Sequence, residues 1–298
     1  MTDARPPFAR AGLIGHTGGS SGDAPGDVRP ISGRGVAARK LVAEGLGTAL
    51  LVAAVVGSGI MAQQLAQDPA ILLLCNSIAT GGALVALLLM FGPVSGAHIN
   101  PAVTVSMMMT RALPLRAGAG YVAVQIAGGL VGAVAANAMF DLDPVTMSTT
   151  TRAGFPKLLS EGIATFGLIG VVIGVGRTRA SVAPFAVAAY IVAAYWFTAS
   201  TSFANPAVTI ARAFSDTYAG IRLADVAAFI AAQGIGAALG AAIFSWLVPL
   251  PPRELDQSHR TRAVPGGATI VSDARSAMVP VPSLPFVFEP THQIEPSL

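Results

Sequence analysis

Six apolar stretches, each long enough to cross a bilayer, restrict this chain to a membrane fold. They are Leu41–Met61, Ala70–Gly92, Ala117–Ala138, Leu158–Val175, Ala183–Thr201 and Val226–Val248. A hydrocarbon core about 30 Å thick takes roughly 20 helical residues at 1.5 Å rise each. The spans fall within residues 37–250. Residues 1–36, rich in Gly, Pro, Arg and Asp, and the Pro-rich, polar residues 251–298 read as flexible extensions. The first segment has neither the apolar core nor the cleavage site of a signal peptide, so the first span is expected to serve as its own insertion signal.

The composition, 53% hydrophobic and 11% charged with a net charge of +3, leaves most charge in ends and loops. Such charge speaks to membrane orientation rather than to nucleic acid. With the N-terminus inside, Arg34, Arg39, Lys40, Arg111, Arg116, Arg177, Arg179 and Arg253 flank spans on the cytoplasmic side, against Arg152, Lys157, Arg212 and Arg222 outside. Both termini are therefore expected in the cytoplasm, for a multi-pass protein of the cell inner membrane. The lone cysteine, Cys75, excludes an internal disulfide and reads as a small core hydrophobe. We find no nucleophile paired with a base, no phosphate-cradling glycine loop and no metal-ligand cluster, so an enzyme is not expected.

The chain contains an internal repeat. The stretch beginning Glu44 echoes that beginning Glu161, the stretch around Asn100 echoes that around Asn205, and the stretch from Gln125 echoes that from Gln233. Each half, about 37–140 and 155–250, carries three spans, and an odd number of crossings makes the second half an inverted copy of the first. In the third span of each half, Gly128/Gly132 and Gly236/Gly240 form GxxxG pairs, which let helix backbones approach closely in lipid.

Two triplets stand at matching places, Asn100-Pro101-Ala102 and Asn205-Pro206-Ala207. Asn is a favoured N-cap and Pro a favoured first helical residue, so each triplet predicts the start of a helix of about ten residues, too short to span. Helix starts at membrane depth are tolerated only in protein or beside a watery cavity. In inverted halves the two short helices enter from opposite faces and point their positive ends and asparagine amides at one midplane site. A cation there meets like-signed partial charge, while a neutral hydroxylated molecule finds donors.

From Leu41 to Val248 the sequence resembles the aquaporin and aquaglyceroporin family, on Ser95–Thr104, Ala204–Thr209, Glu44, Glu161, Gln125 and Gln233. The resemblance implies an all-α membrane protein of six transmembrane helices plus two re-entrant half-helices, a homotetramer with one pore per subunit, and passive conduction without cofactors. It implies that Glu44 and Glu161 brace loops exposing pore-lining carbonyls, and that His98 faces the pore. Counting from the two asparagines, the family's narrowest ring falls on Thr80, Ala193, Ser202 and Val208, with valine where most members have arginine. A ring of small, mostly neutral side chains implies a wide filter.

Arg212 stands four residues after Val208, on nearly the same helical face, and could set a displaced positive charge at the outer vestibule or pair with Asp216. The loop from Thr201 to Ile221 resembles a bacterial aquaglyceroporin subgroup associated with arsenic resistance. That implies movement of arsenite, As(OH)3, and of methylated arsenicals beside glycerol and water. An ordinary glycerol facilitator and a coupled secondary transporter are the alternatives.

Overall fold

The computed structural model describes residues 33–250, and the remaining terminal residues, with the apolar stretch Ser283–Phe288, lie outside it. Eight α-helices follow in order: α1 (Gly33–Leu65), α2 (Pro69–Ser95), α3 (Pro101–Met109), α4 (Leu115–Met139), α5 (Phe155–Thr178), α6 (Ala183–Phe197), α7 (Pro206–Ala211) and α8 (Leu223–Leu247). No strand is present among the described residues. Each predicted apolar stretch coincides with one of six helices long and apolar enough to cross a membrane, although Ala183–Thr201 overruns α6, which ends at Phe197. Helices α3 and α7 are the short helices the triplets predict. The second is shorter than expected, because its last turn tightens into a 3-10 turn at Arg212–Phe214. Helix α1 begins at Gly33, so its first turn takes in residues that composition assigned to the extension.

Helix boundaries follow local chemistry. Asp68 caps α2 by accepting the N–H groups of Ala70 and Ile71 at 2.7 and 3.3 Å, with Pro69 in the first helical position. Asn100 and Asn205 cap α3 and α7 in the same way, each followed by its proline.

The inverted repeat is visible in the packing. A Cβ on Gly128 or Gly132 would meet the carbonyl oxygen of Gly45 or Ala49, so α4 lies directly on α1. On α8, Gly236 and Gly240 stand in the same relation to the carbonyls of Gly162 and Phe166 on α5. Small residues supply this approach because lipid offers no hydrophobic drive between helices. Outward faces carry apolar side chains, among them Ile71, Leu74 and Ile78 on α2. Cys75 belongs to this outward stripe and is exposed, contrary to the core position expected of it. A small apolar side chain serves equally well against lipid.

We call the side where α1 begins and α8 ends the terminal face, and the opposite side, which carries residues 140–154, the long-loop face. On the latter the loop is stitched to the segment that follows α7. Ser148 N–H donates to Ala213 O at 2.9 Å, Thr146 N–H to Phe214 O at 3.2 Å, and Arg222 N–H to Thr150 O at 2.7 Å.

Candidate functional site

The two half-helices meet by their starting ends, and each asparagine does two jobs there. Asn100 Oδ1 accepts the N–H of Ala102 at 2.8 Å, while its Nδ2 donates across to Ala204 O at 2.8 Å. Asn205 Oδ1 accepts the N–H groups of Ala207 and Val208 at 3.0 and 3.3 Å, and its Nδ2 donates back to Ile99 O at 3.0 Å. Each amide thus caps its own helix and ties it to the opposite loop. A primary amide carries two N–H donors, so one on each asparagine remains for a molecule passing the site.

The loops before the asparagines have a backbone that sequence reading does not reveal. Gly96, Ala97 and Ile99 have φ of 90, 45 and 40°, and Thr201, Ser202 and Ala204 have 61, 48 and 45°. These are the same three positions relative to Asn100 and Asn205. Five of the six are not glycine, and the left-handed region costs such residues roughly 1–2 kcal/mol each. Buried carboxylates hold them there. Glu44 Oε1 accepts Ser95 Oγ at 2.6 Å and His98 N–H at 2.9 Å, and its Oε2 accepts Ile99 N–H at 2.7 Å and Gln125 Nε2 at 2.8 Å. Glu161 takes Phe203 N–H at 2.8 Å, Ala204 N–H at 2.9 Å and Gln233 Nε2 at 2.6 Å. Gln125 and Gln233 in turn donate to Thr104 and Thr209 at 3.0 and 2.8 Å, and those hydroxyls bond back to Asn100 O and Asn205 O. With N–H groups drawn toward glutamate, the loops leave their carbonyl edges for the opposite side.

That opposite side is a cavity of about 440 Å³. His98, Asn100, Asn205, Thr80, Ser202 and Val208 all line it, amid a largely aliphatic wall. His98 Nδ1 lies 3.1 Å from Thr104 Oγ1, and its ring packs edge-to-face on Tyr121 with centroids 5.4 Å apart.

Ala193 does not take the place counted for it. It is exposed on α6, while Tyr195 lines the cavity with its hydroxyl 3.1 Å from Thr80 Oγ1. Two residues turn an α-helix by about 200°, so Ala193 faces out where Tyr195 faces in. The wall at this level therefore carries an aromatic side chain that the four counted positions lack.

Arg212 also lines the cavity and is 1% exposed. It does not pair with Asp216, which instead accepts the N–H and Oγ1 of Thr149 at 2.8 and 3.0 Å. Its Nε donates to Ala219 O, and its guanidinium lies 3.4 Å from the centre of the Phe203 ring. Arg152, which sequence reading treated only as a loop charge, is buried close by, its guanidinium 4.8 Å from the same ring. Burial pushes the Arg152 guanidinium below its ordinary value.

Six spanning helices, two half-helices joined tip to tip and one cavity running past both tips define a membrane channel. Residues 34–197 match the Major intrinsic protein family, and the chain belongs to that family of channels rather than to any class of enzyme. Among similar proteins, the aquaglyceroporin AqpS of Rhizobium meliloti is 50% identical over 210 residues, covering 70% of this chain and 90% of that one. Aquaporin NIP1-3 of Oryza sativa is 34% identical over 212 residues, covering 68% and 72%. The X-ray structure of the aquaglyceroporin from Plasmodium falciparum superposes with a TM-score of 0.57 at 16% identity, covering 72% of this chain and 97% of that chain, which supports the fold.

Proposed function

We propose that the protein is a passive channel for small uncharged hydroxylated solutes, conducting glycerol and water and, by the same chemistry, arsenite and methylated arsenicals. The observation that carries this reading is the cavity lining: two asparagine amides at the centre, an aliphatic wall on either side and no carboxylate among its described residues. Glycerol and As(OH)3 each present three hydroxyls and no charge, so both exchange water for the same few donors. Val208 in the wall favours the larger solutes, since it is short and brings no fixed charge to the level of Ser202. The two asparagines at the centre cannot titrate, which disfavours a coupled transporter, whose midplane site needs an ionisable group able to bind the coupling ion.

The resemblance to aquaglyceroporin AqpS supports the polyol reading. We place the channel in the inner membrane as a homotetramer with one pore per subunit and both termini in the cytoplasm. That orientation fits the six basic residues, Arg39, Lys40, Arg111, Arg116, Arg177 and Arg179, that flank the spans on the terminal face.

Stopped-flow light scattering on proteoliposomes tests the reading with water, glycerol and arsenite. The native channel should pass all three, and Val208→Arg should curtail glycerol and arsenite more than water. Tyr195 in the wall gives the narrower alternative a basis: passage of water and glycerol but not arsenite would make this an ordinary glycerol facilitator. Passage of none of the three would overturn the channel reading.

A further inference from the structure

Two buried cations stand at the long-loop mouth. Arg152 and Arg212 are 9% and 1% exposed, and neither has a carboxylate within ion-pair distance among the described residues, where the one pair is Arg222–Asp225. Charged side chains held at such depth are costly, and where they persist they mark a solute path or a partner. Both guanidinium groups lie over the ring of Phe203, which offers each a cation–π contact but no neutralising charge.

The two arginines differ in what they leave free. Arg152 has four of its five guanidinium N–H groups taken: Nε donates to Gly220 O at 2.7 Å, Nη1 to Ser200 O at 3.3 Å and Thr201 Oγ1 at 3.4 Å, and Nη2 to Tyr218 O at 3.2 Å. Its backbone N–H is pinned to Asp225 Oδ2 at 2.8 Å, so the long loop presents this charge rigidly from behind the wall. Arg212 lines the cavity itself. Its Nε is taken by Ala219 O, and no protein acceptor among the described residues takes either Nη. On the same wall Ser202, 2% exposed, has a hydroxyl with no hydrogen-bond partner. Buried polar atoms are almost always satisfied, and a cavity-lining set that is not satisfied by its own protein is available to a solute.

We propose that Arg152, Phe203 and Arg212 form a fixed cationic collar that binds small singly charged anions of the carboxylate type, through Arg212 Nη and Ser202 Oγ. The planar guanidinium offers two parallel N–H groups to the two oxygens of a carboxylate. The collar sorts solutes by charge, whereas the ring around Val208 sorts them by size. The inference rests on the channel reading above, because it is read out through solute flux.

The test uses the full chain in proteoliposomes at neutral pH, with glycerol flux measured against external lactate, the neutral amide lactamide, and choline as a small cation. Lactate should slow glycerol flux by occupying the mouth, while lactamide and choline at the same concentration should not. Arg212→Gln, judged against its own glycerol flux, should raise the lactate concentration for half-inhibition by at least about tenfold, the loss of a charge-assisted hydrogen bond, and Arg212→Lys should retain most of the effect.

Equal inhibition by all three solutes, or none by lactate, overturns the collar, and so does a lactate effect that survives intact in Arg212→Gln. Should Arg212→Gln fail to fold, the three-solute comparison on the native protein decides alone. If the native protein passes no glycerol, that failure belongs to the channel reading. The collar is then judged by whether sodium lactate, and not choline chloride, raises the melting temperature of the native protein.

Discussion

Glu161→Ala removes the support of the loop before Asn205 and gives a direct measure of how much the brace contributes. The carboxylate is 0% exposed and accepts Phe203 N–H, Ala204 N–H and Gln233 Nε2. The glutamine amide can turn to another partner. The two backbone N–H groups cannot, because Ser202 and Ala204, at φ of 48 and 45°, fix the peptide planes that carry them. A buried donor left without an acceptor costs about 1–3 kcal/mol, so the pair costs about 2–6 kcal/mol.

A chain of this size loses roughly 2–4 °C of Tm per kcal/mol, which puts the middle of that range near a 10 °C fall. Glu161→Gln keeps one oxygen for one N–H and turns an NH2 toward the other, so it should lose about half as much. Thermal unfolding of the purified protein in detergent reads the stability, and proteoliposome glycerol flux reads the function. Flux should fall in both variants, since Ser202 and Phe203 lie in the cavity wall. A Glu161→Ala protein with native Tm and native flux would refute the idea that the carboxylate holds the loop.

Ala193→Leu should leave water and glycerol permeability at native values, whereas Tyr195→Ala should raise glycerol flux relative to water; the reverse pattern would return Ala193 to the ring. Gly128→Val drives a side chain into the carbonyl of Gly45 and Gly236→Val into that of Gly162, and overpacking of this kind costs about 1–3 kcal/mol or more. Both should broaden or abolish the monodisperse peak in size-exclusion chromatography, while Gly234→Ala, on α8 with open space before it, should elute as native. Asp225→Ala deprives Arg152 N–H of its acceptor and should speed amide exchange across residues 148–152 by about 10-fold or more, read by hydrogen-exchange mass spectrometry. Unchanged exchange there would mean that the guanidinium contacts alone fasten the loop.

The spans, the inverted halves and the paired half-helices were legible because each has a strong local signature. Apolar length marks a span, and Asn-Pro marks a helix start whatever surrounds it. Glu44 and Glu161 were recognised by resemblance, and their geometry here explains it: a carboxylate two helices away is the acceptor each strained loop requires.

Three features had no such signature. The left-handed residues of one loop are Gly96, Ala97 and Ile99 and of the other Thr201, Ser202 and Ala204, and apart from the glycine none is a residue type that favours that conformation. Tyr195 was missed because counting fixes position along the chain and not rotation about a helix axis. Arg152 sits in a polar loop where a charge is ordinary, and only tertiary folding carries its side chain to Phe203.

The exchange of amides between Asn100 and Ala204 O, and between Asn205 and Ile99 O, means that neither half of the chain can finish its own centre. The carbonyl that receives Asn100 belongs to a residue synthesised 104 positions later. At roughly 5–20 residues per second of synthesis, the first asparagine waits several seconds beside a loop with no counterpart. The conducting path is therefore among the last parts to take shape, after its helices are already in lipid. A chain truncated between the halves carries only three of the spanning helices and one of the two asparagines that meet at the centre.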